Sequence, residues 1–128
     1  MNLVDQWLHN TRCAFVVGSR DFINLNAVDR VLRDLHSKRP DAFIAHTGTP
    51  GAPEHAEHYC NFFGKACFVA HSDWQFYGKR TEAARADWVF DYLKPELVIA
   101  FLSGNDDKPL PSVLEARRRG IPVYEVLG

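Results

Sequence analysis

The chain has 128 residues, with 15 Lys+Arg against 16 Asp+Glu and a formal charge of −1. That length fits one domain spanning residues 1–128, and 46% hydrophobic with 24% charged residues is the composition of an ordinary folded core, which excludes disordered and collagen-like chains. The near-neutral balance argues against function through bulk attraction to nucleic acid or to an anionic membrane, since both call for a basic excess or a clustered basic face. The longest apolar stretches, such as 97–102, fall far short of the roughly 20 residues that span a bilayer, so no transmembrane helix is expected. The first 20 residues carry Asp5, His9, Asn10 and Arg12 and show no signal-peptide pattern. Cys13, Cys60 and Cys67 are an odd set without a CxxC pair, which fits free thiols in a reducing compartment. A cytoplasmic location is the expectation.

In chain order, Leu3, Val4, Trp7 and Leu8 read as a short amphipathic helix over residues 1–11, covering a sheet edge or a dimer surface. Short, nearly continuous apolar runs follow at 13–17, 42–45, 66–70, 97–102 and 123–126, the pattern of strands buried on both faces. Helical patterns separate them. Leu25, Val28, Leu32 and Leu35 recur at spacings of three and four, with Asn24 or Asn26 as N-cap. A second helix runs over 54–63 and stops at Gly64. A third starts after Thr81, with Ala84, Trp88 and Tyr92 as its inner face, and ends before Pro95. The fourth opens at Pro111 and Ser112, carries Val113, Leu114 and Ala116, sets three arginines at the negative end of its dipole and closes at Gly120. This alternation predicts an α/β fold, a Rossmann-like three-layer sandwich with a mainly parallel sheet of about five strands. In such sheets ligands bind beyond the carboxyl ends of the strands. The loops at 18–21, 46–53, 71–80 and 103–111 are therefore the candidate site.

Three of these loops hold residues suited to a phosphorylated ligand. Gly18 allows a sharp turn, Ser19 offers a hydroxyl and an amide, and Arg20 has the planar fork that suits phosphate, with Asp21 beside it; a plain turn with Ser and Asp as local caps is the competing reading. His46, Gly48 and Gly51 precede a helix N-terminus, a weak phosphate signature that is neither a Walker A loop nor GxGxxG. Trp74, Phe76 and Tyr77 are aromatics in a loop that either stack on a base or plug the core beneath it. Lys79, Arg80 and Arg85 gather basic charge near the third helix. His55 and His58 share a helix face but lack metal-site spacing, and surface histidines explain them. No resident cofactor is implied, Asp106 and Asp107 being the one place for magnesium.

The motifs resemble the SLOG superfamily and its YspA-like branch. The match rests on Gly18, Ser19, Arg20 and Asp21 after the first strand, on His46, Gly48, Gly51 and Ala52 after the second, and on His71, Asp73, Trp74, Tyr77, Gly78 and Lys79 with Arg85 beyond. The order holds from about Cys13 to Val126. Thr47, Pro50 and Pro53 depart from the family pattern, as does Ala86, and the fourth loop reduces a glycine-rich cradle to 102–107 around Gly104, where Asp106 and Asp107 would repel phosphate. The resemblance implies binding of a nucleotide or a nucleotide-derived small molecule, such as an NAD- or ADP-ribose-derived signal, between the strand-end loops. Relatives include cytokinin-activating phosphoribohydrolases, the DNA-processing protein DprA and sensor domains of anti-phage defence. It also implies a homodimer, with Trp7, Trp88 or the second helix at the interface. The leading expectation is a sensor or sequestering module binding through Gly18, Ser19, Arg20, Asp21, His46, Gly48, Gly51, Asp73, Trp74, Tyr77, Lys79, Arg85 and Gly104. The alternatives are an N-glycosidic hydrolase of nucleoside monophosphates, with Arg85 orienting phosphate and Glu115 stabilising the oxocarbenium-like centre, and a non-catalytic adaptor with a decayed pocket. DNA binding is disfavoured by the charge of −1.

Overall fold

A computed structural model describes residues 2–71, 81–104 and 109–128. Its elements run α1 (Leu3–Asn10), β1 (Cys13–Gly18), α2 (Leu25–Lys38), β2 (Phe43–His46), α3 (Ala52–Phe63), β3 (Cys67–Val69), α4 (Glu82–Trp88), a π-helical turn (Val89–Leu93), β4 (Leu97–Leu102), α5 (Pro111–Arg118) and β5 (Val123–Leu127). The five strands form one parallel sheet in the order β3-β2-β1-β4-β5, a Rossmann-like α/β arrangement. Alternate residues of β1 serve opposite faces. Ala14 and Val16 join the core under α1, α2 and α3, while Cys13, Phe15 and Val17 join the core under α4 and α5. Burial on both sides explains the continuous apolar runs of the central strands β1, β2 and β4. The outer strands differ: β3 is only partly buried and β5 buries only Val126, each being paired on one edge alone.

The helix caps follow the sequence. The Asn24 side chain accepts from the Ala27 amide, the Thr81 side chain accepts from the Ala84 amide, and Gly64 ends α3 in the left-handed region. Within the first core, His36 Nε2 donates to the Ala42 carbonyl at 2.9 Å, so its Nδ1 accepts from the Tyr59 hydroxyl at 3.0 Å. Burial holds the His36 pKa below its ordinary value and pushes the Tyr59 hydroxyl up to about 12. That pair ties α2, α3 and the start of β2 together.

Three sequence expectations are corrected. The leading helix α1 does not cover a sheet edge: it packs on α2, burying Leu8 fully with Val4 and Trp7 against the same core, and Lys38 of α2 bridges Asp5 and Asp34. The inner face of α4 is centred on Ala86, Val89 and Phe90, with Ala84 and Trp88 half-buried against the same core as expected, but Tyr92 is 61% exposed. Phe68 of β3, Trp88 and Tyr92 instead stack along the flank of the helix, at centroid distances of 5.1 and 5.4 Å. Flat stacking covers one face of the Tyr92 ring while Trp88 stays half-buried. On α5, Val113 and Ala116 are buried as expected but Leu114 is exposed, since it lies off their stripe. Among the described residues no helix is long and apolar enough to cross a membrane.

Candidate functional site

The sheet order reverses direction between β1 and β4: the chain steps outward from β1 through β2 to β3, then returns to β4 on the other side of β1. The loops leaving β1 and β4 therefore part in opposite directions and leave a crevice at their carboxyl ends. A cavity of about 650 Å³ occupies this place, a volume ordinary for a small-molecule site. Gly18, Ser19, Arg20 and Asp21 enter it from β1, Thr47 and Thr49 from the loop after β2, and Pro53 from α3. Glu82, Ala86, Asp87 and Phe90 line it from α4 and the turn that follows, and Leu110, Pro111, Ser112 and Glu115 from the start of α5.

The first loop is held close to β4. The Ser19 amide donates to the Phe101 carbonyl at 3.0 Å, and the Ser19 hydroxyl accepts from the Ser103 amide at 3.4 Å. Gly18 is required by this closeness, since a Cβ there would stand 3.0 Å from the Phe101 oxygen and 3.3 Å from the Ala52 methyl. Across the cavity, Thr49 Oγ1 donates to Glu82 Oε1 at 3.0 Å, and Arg20 reaches Glu82 at 3.8 Å. Glu115 is gripped by its own helix: Arg118 Nε donates to one carboxylate oxygen at 2.9 Å and Arg119 Nε to the other at 2.6 Å. Hydrogen bonds from Arg118 and then Arg119 hold its carboxyl down at about 2. Arg119 also bonds Asp91 at 2.9 Å and lies 5.0 Å over the Phe90 ring, which fixes α5 against the end of α4. The three arginines thus make specific ion pairs, Arg117 with Glu125 included, beyond the dipole role expected of them.

Of the site residues expected from sequence, Gly18, Ser19, Arg20, Asp21 and Glu115 meet at this cavity. Others do not. His46 is 1% exposed and belongs to the opposite face of the sheet, where Nδ1 accepts from the Gly48 amide at 2.9 Å, Nε2 stands 4.0 Å from Glu57 of α3, and the ring neighbours the Cys67 thiol. The Gly48 amide is thereby committed to its own loop rather than to a ligand. Gly51 caps α3 and backs onto the carbonyls of the first loop, so its place is behind the cavity wall. Arg85 is nine-tenths buried and, like Gly104, is not part of the lining. The expectations at Asp73, Trp74, Tyr77 and Lys79, and at Asp106 and Asp107, fall outside the described residues. His55 bonds Asp29 of α2 at 2.9 Å, and among the described residues no group of three or more His, Cys, Asp or Glu could hold a metal.

Sequence reasoning missed Thr47, Thr49, Glu82, Asp87, Phe90 and Ser112. Thr47 was visible only as a departure from a glycine-rich pattern and Thr49 not at all, whereas a buried hydroxyl in a strand-end loop is itself a signal. Glu82, in the first turn of α4 after the Thr81 cap, reads as an ordinary helix-start acid until Thr49 is brought against it. Comparison with protein-family models, with curated proteins and with solved structures finds no match to the chain.

Proposed function

We propose that the cavity binds a nucleotide or nucleotide-derived small molecule, and that the protein acts as a sensor or sequestering module. The observation that carries this reading is position: a cavity of about 650 Å³ lies where strand order reverses, with Gly18, Ser19, Arg20 and Asp21 on its wall. Resemblance of those four residues to the SLOG motif supports the same conclusion. Arg20 supplies a guanidinium at the rim, with the Ser19 and Ser112 hydroxyls nearby on the lining. Binding without chemistry is favoured over N-glycosidic hydrolysis because the Glu115 carboxylate is already neutralised by Arg118 and Arg119, and because Arg85, the partner a hydrolase would need, is outside the lining.

Native mass spectrometry with AMP, ADP, NAD, ADP-ribose and cyclic ADP-ribose tests the reading. An intact ligand retained at one per chain is expected, and Arg20→Ala should weaken it by about tenfold or more, since a hydrogen bond to a charged group contributes about 1.5–3 kcal/mol. The same spectra read the oligomeric state, for which the resemblance implies a homodimer. Folded protein that retains none of the panel overturns the proposal. Free base released by the wild type and not by Glu115→Gln replaces it with the hydrolase.

A further inference from the structure

The polarity of the cavity wall narrows the ligand class. Thr47 and Thr49 are both buried, with hydroxyl oxygens 3.2 Å apart, and Thr49 Oγ1 lies 3.0 Å from Glu82 Oε1. An ionised carboxylate only accepts, so the one hydroxyl proton of Thr49 goes to Glu82. The bond between the threonines must then run from Thr47 to Thr49. Both protons are spent inside the protein, and what Thr47 and Glu82 turn outward is lone pairs. Asp21 and Asp87 add further acceptors to the lining, where Arg20 is the one cationic side chain among the described residues.

Phosphate oxygens are acceptors and would meet acceptors along this wall, leaving both sides without a donor and paying the desolvation penalty of each. Sugar hydroxyls are donors. A vicinal diol can give two hydrogen bonds to one carboxylate, and Glu82 is placed for it: Thr49 fixes Oε1, while the side chain remains 50% exposed. Resting on the nucleotide reading above, we infer that Glu82, oriented by Thr49, accepts the ribose cis-diol of the bound molecule. The ligand is then a ribonucleoside derivative that enters sugar-first along the threonine wall. Its phosphate lies toward Arg20, whose ion pair with Glu82 is loose at 3.8 Å.

Isothermal titration with AMP and 2′-deoxy-AMP, carried to millimolar concentration, separates the outcomes. The wild type should bind AMP at least about tenfold more tightly than the deoxynucleotide, the ratio worth about 1.4 kcal/mol. In Glu82→Gln that ratio should fall to within about threefold, and circular dichroism should be unchanged because the side chain is half exposed in a first helical turn. Thr49→Ser, which keeps the donor, should preserve the discrimination that Thr49→Val loses. Equal binding of the two nucleotides by the wild type, or an undiminished ratio in Glu82→Gln, overturns the inference and leaves the nucleotide reading standing. Absence of binding by both overturns the inference, and an empty native mass panel removes the nucleotide reading with it.

Discussion

At position 51 a side chain would be strained and pressed against the protein's own backbone. Gly51 has φ +97° and ψ −132°, and a Cβ built there lies 3.3 Å from the Ser19 carbonyl oxygen. The residue is at once the cap of α3 and the surface on which the first loop rests. Gly51→Ala should destabilise the fold by about 1–3 kcal/mol, the cost of holding a non-glycine residue in such a conformation. Denaturant unfolding reads it; an unchanged midpoint would show that the loop yields instead. The glycines before α3 read in the sequence as a weak phosphate signature, and the close approach of the first loop to Gly51 was not legible there. Local order shows that a chain must turn. It does not show that Ser19, 32 positions earlier, is what the turn must clear. The bond from Thr49 to Glu82 was hidden for the same reason, because sheet order alone brings them together.

Helix α5 carries its own electrostatic clamp at the scale of an element. Glu115 titrates at about 2 in the folded protein against an ordinary 4.5, so between those values the unfolded chain binds a proton that the folded chain does not. The stabilisation from the arginine pairs is therefore complete above about pH 4.5 and is lost as the pH falls toward 2. Thermal melts should show Glu115→Gln less stable than the wild type at neutral pH, with the gap closing across that acid window. Melting curves that stay equally separated down to pH 2 would contradict the assignment. Periodicity located α5, α2 and α3 and their caps, because those signals lie within a few residues of each other. On α4 it found Ala84 and Trp88 at the margin of the core but extended the stripe to Tyr92, since large aromatic rings at i, i+4 look like a buried stripe. Stacking on Trp88, which itself stacks on Phe68 of β3, gives Tyr92 a place at the surface instead.

The two cores of the whole molecule share the same strands, so neither can melt alone. Phe15 is fully buried on the α4–α5 side, edge-on to Phe90 at 5.2 Å, while its neighbours Ala14 and Val16 serve the other side. Phe15→Ala should cost about 3–5 kcal/mol. Its unfolding should remain one transition, with tryptophan fluorescence and far-ultraviolet circular dichroism coinciding; two separated transitions would mean that the faces are independent. Five strands and parallel crossovers could be counted in the sequence, but the position of β4 beside β1 could not, as a crossover of either sense buries the same apolar runs. That placement also sets a timetable for synthesis. Residue 14 pairs with residue 97, and at about 5–20 residues per second roughly 4–17 s pass between their emergence from the ribosome. During that interval β3, β2 and β1 can assemble with α2 and α3, yet the side of β1 meant for β4 remains an open row of amides and carbonyls. The strand at the centre of the finished sheet is thus the sticky edge of the nascent one, and the yield of folded protein depends on how well that edge is shielded until its partner arrives.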